Sequence, residues 1–206
     1  MKKKIFGWND FFGRKQNLLI LFPVGFFLGI ILGISVFRIA SGKEIVASCL
    51  SALRDIEIYY PAFLCYVIWA RVVDIMFYVI IVFIPPGPML YFIRVLFLGV
   101  QCGCMITGFA WVEGFTGIAV FILGCFPHWL LYAPALYAGY DYFLVIWSGV
   151  HNNDRNSQTK NVYFHHTSSH FFKGILLLGV VVIIGMLTEC YVNSFFVKLF
   201  TNFFIS

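Results

Sequence analysis

The feature that most limits what this chain can fold into is a run without any charge, Asn17 to Phe37. About 20 such residues, wound as a helix, cross the hydrocarbon core of a bilayer. Four further apolar stretches follow, Pro61–Ile84, Pro88–Trp111, Phe115–Trp147 and Phe171–Val192. Composition agrees with them. The 206 residues are 61% hydrophobic and only 11% charged, with a mean hydropathy of +0.90, whereas a soluble domain carries about 25% charged residues. One soluble core cannot hide that much apolar surface, so the excess faces lipid. A water-soluble enzyme, a secreted disulfide scaffold and a disordered tail are excluded. The expectation is an all-α polytopic membrane protein, one membrane domain over 1–206, with the lipid bilayer as its first partner.

Five transmembrane helices are expected, over 17–37, 61–84, 88–111, 115–147 and 171–192. The second is closed by Pro85-Pro86-Gly87-Pro88, which cannot continue a helix. Val112 to Gly114 makes a tight connection after the third. The stretch 115–147 would reach about 50 Å as one helix, against a core of about 30 Å. Pro127 and Pro134 interrupt it, and the piece before Pro127 is too short to cross. The fourth crossing is therefore preceded by a broken or re-entrant arm at Pro127-His128.

Outside the spans, Ser41 and Glu44 have capping-box spacing, and Ile45, Cys49, Leu53 and Ile56 recur at helical intervals. They predict an outer amphipathic helix over 41–60. A polar cytoplasmic loop is expected over 148–170, and a phenylalanine-rich interfacial tail after Asn193. Five crossings put the termini on opposite sides. With the N-terminus inside, that side collects Lys2, Lys3, Lys4, Arg14, Lys15, Arg94, Arg155, Lys160 and Lys173. The other keeps Arg38, Lys43, Arg54 and Lys198. The positive-inside rule then gives a cytoplasmic N-terminus and an outside C-terminus. The lysine-rich start imitates a signal peptide, but the run is too long and Arg38 follows it, so an uncleaved anchor is expected. The basic start is a topology signal and an attraction to anionic lipid rather than to nucleic acid.

Gly25, Gly29 and Gly33 recur every fourth residue, and Gly99 and Gly103 repeat the spacing. Such stripes let helices approach closely, either inside the monomer or between copies in a homo-oligomer. Arg71 and Asp74 fall near the middle of the second span, three residues apart. They form a structural ion pair, a contact to another subunit, or part of a substrate path. His128 sits at the break, where freed carbonyls need partners, and is structural or a proton or ligand site. Pro134, Asp141 and Glu189 are further polar or helix-breaking points. Arg71, Asp74, Asp141 and Glu189 show no common site in the sequence. The six cysteines form no CxxC pair, and of the four histidines at 151, 165, 166 and 170, His165 and His166 are adjacent and cannot share one helical face. No GxSxG, HExxH, Walker or GxGxxG motif occurs. No enzyme activity, metal or cofactor is expected.

Several motifs together resemble the stage II sporulation protein M family. They are "FFLGIILG" (Phe26–Gly33), "FLGVQCG" (Phe97–Gly103), Gly114 and Gly117 in "GFTG", "PHWLLYAPA" (Pro127–Ala135), and "TECYVNSFF" (Thr188–Phe196) with its Glu189. Tyr132 stands where many relatives have Glu. The resemblance implies a non-enzymatic membrane scaffold. It would recruit two membrane-anchored peptidoglycan hydrolases, the stage II sporulation proteins D and P, to the septal membrane. Their thinning of the septal wall lets the mother-cell membrane engulf the forespore. The outer helix and the C-terminal tail would then face the wall-side domains. The competing class is a transmembrane permease subunit of a small-molecule transporter, since a broken helix beside mid-membrane charges also builds substrate sites.

Overall fold

The computed structural model describes residues 16–38, 44, 48, 59–125, 127–151 and 157–204, with the backbone alone at 125, 157–170 and 200–204. The basic start and most of the outer helix at 41–60 lie outside the described residues, as do the side chains of His165, His166 and His170. Glu44 and Ser48 are helical, with Ser48 Oγ donating to the Glu44 carbonyl at 2.7 Å.

Every described element is helical. In chain order they are α1 (Gln16–Phe37), α2 (Tyr60–Val82), α3 (Gly87–Cys125), α4 (Trp129–His151) and α5 (Ser157–Leu187). A π-helical turn (Thr188–Asn193) then leads into α6 (Ser194–Phe204). Four stretches among the described residues are long and apolar enough to cross a membrane: α1, α2, Gly87–Gly124 of α3, and Phe171–Leu199 through α5 and the π turn. The fourth expected span, represented by α4, has 23 residues, as many as α2. Four tyrosines and Asp141 make it more polar, and it is not among those four.

Proline sets two of the starts and stops. Pro61 occupies the first turn of α2, where its missing N–H costs nothing, and Pro85-Pro86 forces the turn into α3. α3 does not run straight. Gly114 has φ 60° and ψ −132°, a conformation open to glycine and strained for other residues. The chain beyond it folds back along the chain before it. Gly117 lies on the Phe109 carbonyl, and the Phe109 and Phe121 rings are 6.3 Å apart. In an unbroken helix those two residues would stand about 18 Å apart.

The glycine stripes meet inside the chain, and α1 rests chiefly on α3. A Cβ added at Gly25 or Gly29 would strike the carbonyl of Leu96 or Val100, and one at Gly99 or Gly103 that of Phe22 or Phe26. Gly33 faces Thr107, whose Cβ would be 2.8 Å from an added Cβ. Backbone thus packs on backbone, which in lipid is the main source of helix association. Cys104 Sγ adds a weak bond to the Gly29 carbonyl at 3.2 Å.

At the end of the bundle near the 83–86 turn, Leu18, Ile81, Val82, Tyr91, Phe92, Val95, Tyr140 and Phe143 form the main buried cluster. Buried phenols and indoles need partners in an apolar interior. Tyr91 donates to the Leu136 carbonyl at 2.7 Å, and Trp147 Nε1 to the Ile84 carbonyl at 3.0 Å. α4 packs on α5, and α6 on α3, where Val197 lies over Gly124.

Candidate functional site

One turn of α2 projects Arg71 and Asp74 into the bundle, and two distant segments supply their partners. Arg71 grips Glu189 of the π turn with two bonds, Nε to Oε2 at 2.9 Å and Nη2 to Oε1 at 2.6 Å. Its Nη1 donates to Asp74 Oδ2 at 3.0 Å. Arg94 of α3 donates from Nη2 to Asp74 Oδ1 at 2.6 Å. Tyr132 of α4 donates to Glu189 Oε2 at 3.1 Å, and the Arg71 guanidinium stands 4.9 Å from the centre of that ring. Two cations face two carboxylates, so the set is neutral. That balance matters because an uncompensated charge at membrane depth is costly.

The π turn holds Glu189 and Asn193 against neighbouring segments. Local π turns recur at functional sites. Glu189 reaches α2, while Asn193 Nδ2 meets His128 Nδ1. Both members of the second pair are buried, and the His128 ring packs edge-on to Tyr132 at 5.5 Å. His128 therefore sits one residue before α4 with Asn193 as its partner. Pro127 lies beside it in the turn, and Pro134 is carried inside α4. Asp141 lies on the exposed side of α4.

Arg71, Asp74 and Glu189 thus come together, with His128 one ring contact away through Tyr132. Gly25, Gly29, Gly33, Gly99 and Gly103 lie apart from them in the α1–α3 seam. Sequence reasoning missed Arg94, Tyr132 and Asn193 as members. Arg94 was assigned to the inner membrane side as a topology charge, whereas it bonds Asp74 inside the bundle; the remaining basic residues still favour that side. The signal available for Arg94 was its position a full two turns into an apolar span. Among the described residues no group of three or more His, Cys, Asp or Glu is placed to hold a metal.

Beside this network, α2, α3, α4 and α5 enclose a cleft of about 330 Å³. Its walls are mainly aliphatic and aromatic, and Arg71, Asp74, Tyr78, Arg94 and Tyr132 form one polar edge. Fold and site together define a multi-pass, all-helical membrane protein with a neutral charge network in its interior. No protein-family model, curated protein or solved structure matches the chain.

Proposed function

We propose that this chain is a non-enzymatic membrane scaffold of the stage II sporulation protein M kind. It would hold the peptidoglycan hydrolases called stage II sporulation proteins D and P at the septal and engulfing membrane of a sporulating cell. The observation that carries this reading is the closed network: each oxygen of Asp74 and Glu189 already accepts a bond from within the chain. A neutral, internally bonded set ties α2, α3, α4 and the π turn into one frame, which is what holding a partner requires. The sequence motifs from Phe26 to Phe196 supply the identity of the partners.

In this reading the chain crosses five times, with α4 as the fourth crossing and the segment after Gly114 as a re-entrant arm. The N-terminus is cytoplasmic and the C-terminus outside. Because the glycine seam is used between α1 and α3, partner anchors dock elsewhere. The outward face of α2 is the chosen surface. Tyr66, Trp69, Val73, Met76, Ile80 and Phe83 form a stripe along it, spaced alternately three and four residues apart, and all are exposed. That is the spacing with which one helix meets another. Trp69 is 69% exposed, and its indole N–H finds no acceptor among lipid tails.

The test is a pull-down of the tagged protein from its source cells in mild detergent. Wall hydrolases are expected in the eluate. Their recovery should fall about tenfold with Trp69→Ala and Val73→Ala together, the scale of losing a central contact. Recovery of a nucleotide-binding ATPase in their place overturns the scaffold in favour of a permease subunit.

A further inference from the structure

The cleft beside the charge network has a construction of its own. α4 and α5 pack along one another, and at two places a tyrosine of α4 stands on a glycine of α5. The Tyr132 ring lies on Gly185, and Tyr142 on Gly174. Between these two pillars the residues of α4 that face the cleft are Ala135, Leu136 and Gly139, two of them too small to close it. An added Cβ at Gly139 would meet only the Tyr91 hydroxyl, at 3.7 Å. Leu178 and Val182 form the α5 wall, and Ile75 and Val79 the α2 wall. The small residues leave an apolar slot between these walls, and an unfilled slot forfeits the dispersion contacts of its walls.

The polar edge narrows what fills it. Arg94 gives one N–H to Asp74 and lies against the Phe77 and Phe97 rings. A guanidinium carries five N–H donors, and a carboxylate accepts at about four positions. Asp74 takes one bond on each oxygen. The edge can therefore both donate and accept. The network beside it is already neutral, so an anionic headgroup would add an uncompensated charge at membrane depth. At about 330 Å³ the slot is at the small end of ligand pockets, which run to about 300–1,000 Å³. That is room for one chain and not for a helix.

We propose that this slot binds a neutral single-chain amphiphile of the acylglycerol type, its chain between α2, α4 and α5 and its hydroxyl or ester group on Asp74 and Arg94. The site is independent of which proteins the outer surface of α2 holds. The experiment uses the full chain in phosphatidylcholine nanodiscs with a photoactivatable, diazirine-bearing monoacylglycerol. Adducts are expected on 135–146 of α4 and 175–182 of α5. Gly139→Leu fills the slot and should cut that labelling by about tenfold or more. Gly149→Leu is the matched control, because an added Cβ on the same helix meets nothing within 4 Å there; its labelling should equal that of the parent protein. Excess unlabelled monoacylglycerol should remove the adducts, whereas the ionised fatty acid of equal chain length should not. Labelling unchanged by a folded Gly139→Leu protein, or adducts spread over the lipid-facing surfaces, overturns the site. Fatty acid that competes as well as monoacylglycerol overturns the neutral headgroup. Should Gly139→Leu fail to fold, the position of the adducts and the competition pair decide the matter alone.

Discussion

Replacing Glu189 by Gln keeps the shape of the side chain and removes its charge, which isolates what the carboxylate does. Arg71 spends two of its N–H groups on that carboxylate, and the network around it would go from neutral to a net positive charge. Breaking a buried ion pair by removing one partner costs about 3–5 kcal/mol, because the other charge is left uncompensated. Glu189→Gln should therefore lower the thermal unfolding temperature of the protein in detergent markedly. Arg71→Met combined with Glu189→Gln leaves only Arg94 with Asp74, which is neutral again. The double variant should unfold at a higher temperature than the Glu189→Gln single variant, and a double variant that is less stable would refute the charge-balance account. Part of this site was legible beforehand. Three-residue spacing on one helix brings Arg71 to Asp74, and they do bond. The spacing is silent about Arg94 and Glu189, which lie 20 and 118 residues from their partners, because helical periodicity reports only neighbours on the same helix.

At the scale of elements, the α1–α3 seam makes the sharpest demand on sequence. Gly103 faces the Phe26 carbonyl, and an added Cβ there would also come within 2.8 Å of the Ile30 nitrogen and 3.0 Å of the Gly29 carbonyl carbon. The obstacle is backbone, which cannot swing aside as a side chain can. Gly103→Ala should push α1 away from α3 and destabilise the protein by about 1–3 kcal/mol, the range for overpacked interiors. Gly179→Ala is the comparison, since an added Cβ at Gly179 meets nothing within 4 Å. Removing a glycine from an open helical position stays within about 0.5–1 kcal/mol and favours the helix. Chemical denaturation of the two proteins in the same detergent separates them; equal stability would show that the seam is not the tight joint described. The stripes were plain in the sequence as fourth-residue glycines. Which stripe meets which was not, because the same spacing serves a seam within a chain and one between chains. The reversal at Gly114 shows the same limit. A tight connection was expected at 112–114, but only the positive φ and the approach of Phe121 to Phe109 show the chain doubling back.

For the molecule as a whole, the number of crossings decides where the two ends lie, and α4 decides the number. Its tyrosines and Asp141 dilute the apolar signal on which a span is recognised, so its length and its neighbours must settle its course. Contacts near both ends relate α2 to α4. At one end Tyr60, which opens α2, stacks on Tyr191 at 5.4 Å, and His128, which precedes α4, bonds Asn193 two residues further on. At the other, the Ile84 carbonyl just beyond α2 accepts the Trp147 N–H near the end of α4. Two helices of 23 residues, or about 35 Å each, run the same way past one another, with Tyr132, the fourth residue of α4, already against Arg71, the twelfth of α2. In the proposed five-crossing reading α4 is a span, and two of its tyrosines turn toward the other helices while Asp141 stays on the exposed side. Tyr132 and Tyr140 are buried there, Tyr140 with 0% of its surface exposed. In that reading the fold-back after Gly114 is a re-entrant arm that adds no crossing. The total is then odd. An alkaline phosphatase fused after Ser206 should be active outside the cytoplasmic membrane, and the same enzyme fused before Met1 inactive. Activity of the N-terminal fusion, or silence of the C-terminal one in well-expressed protein, would mean an even count or an inverted chain. A silent C-terminal fusion would place α6 on the cytoplasmic side and remove it from any contact with wall-side domains.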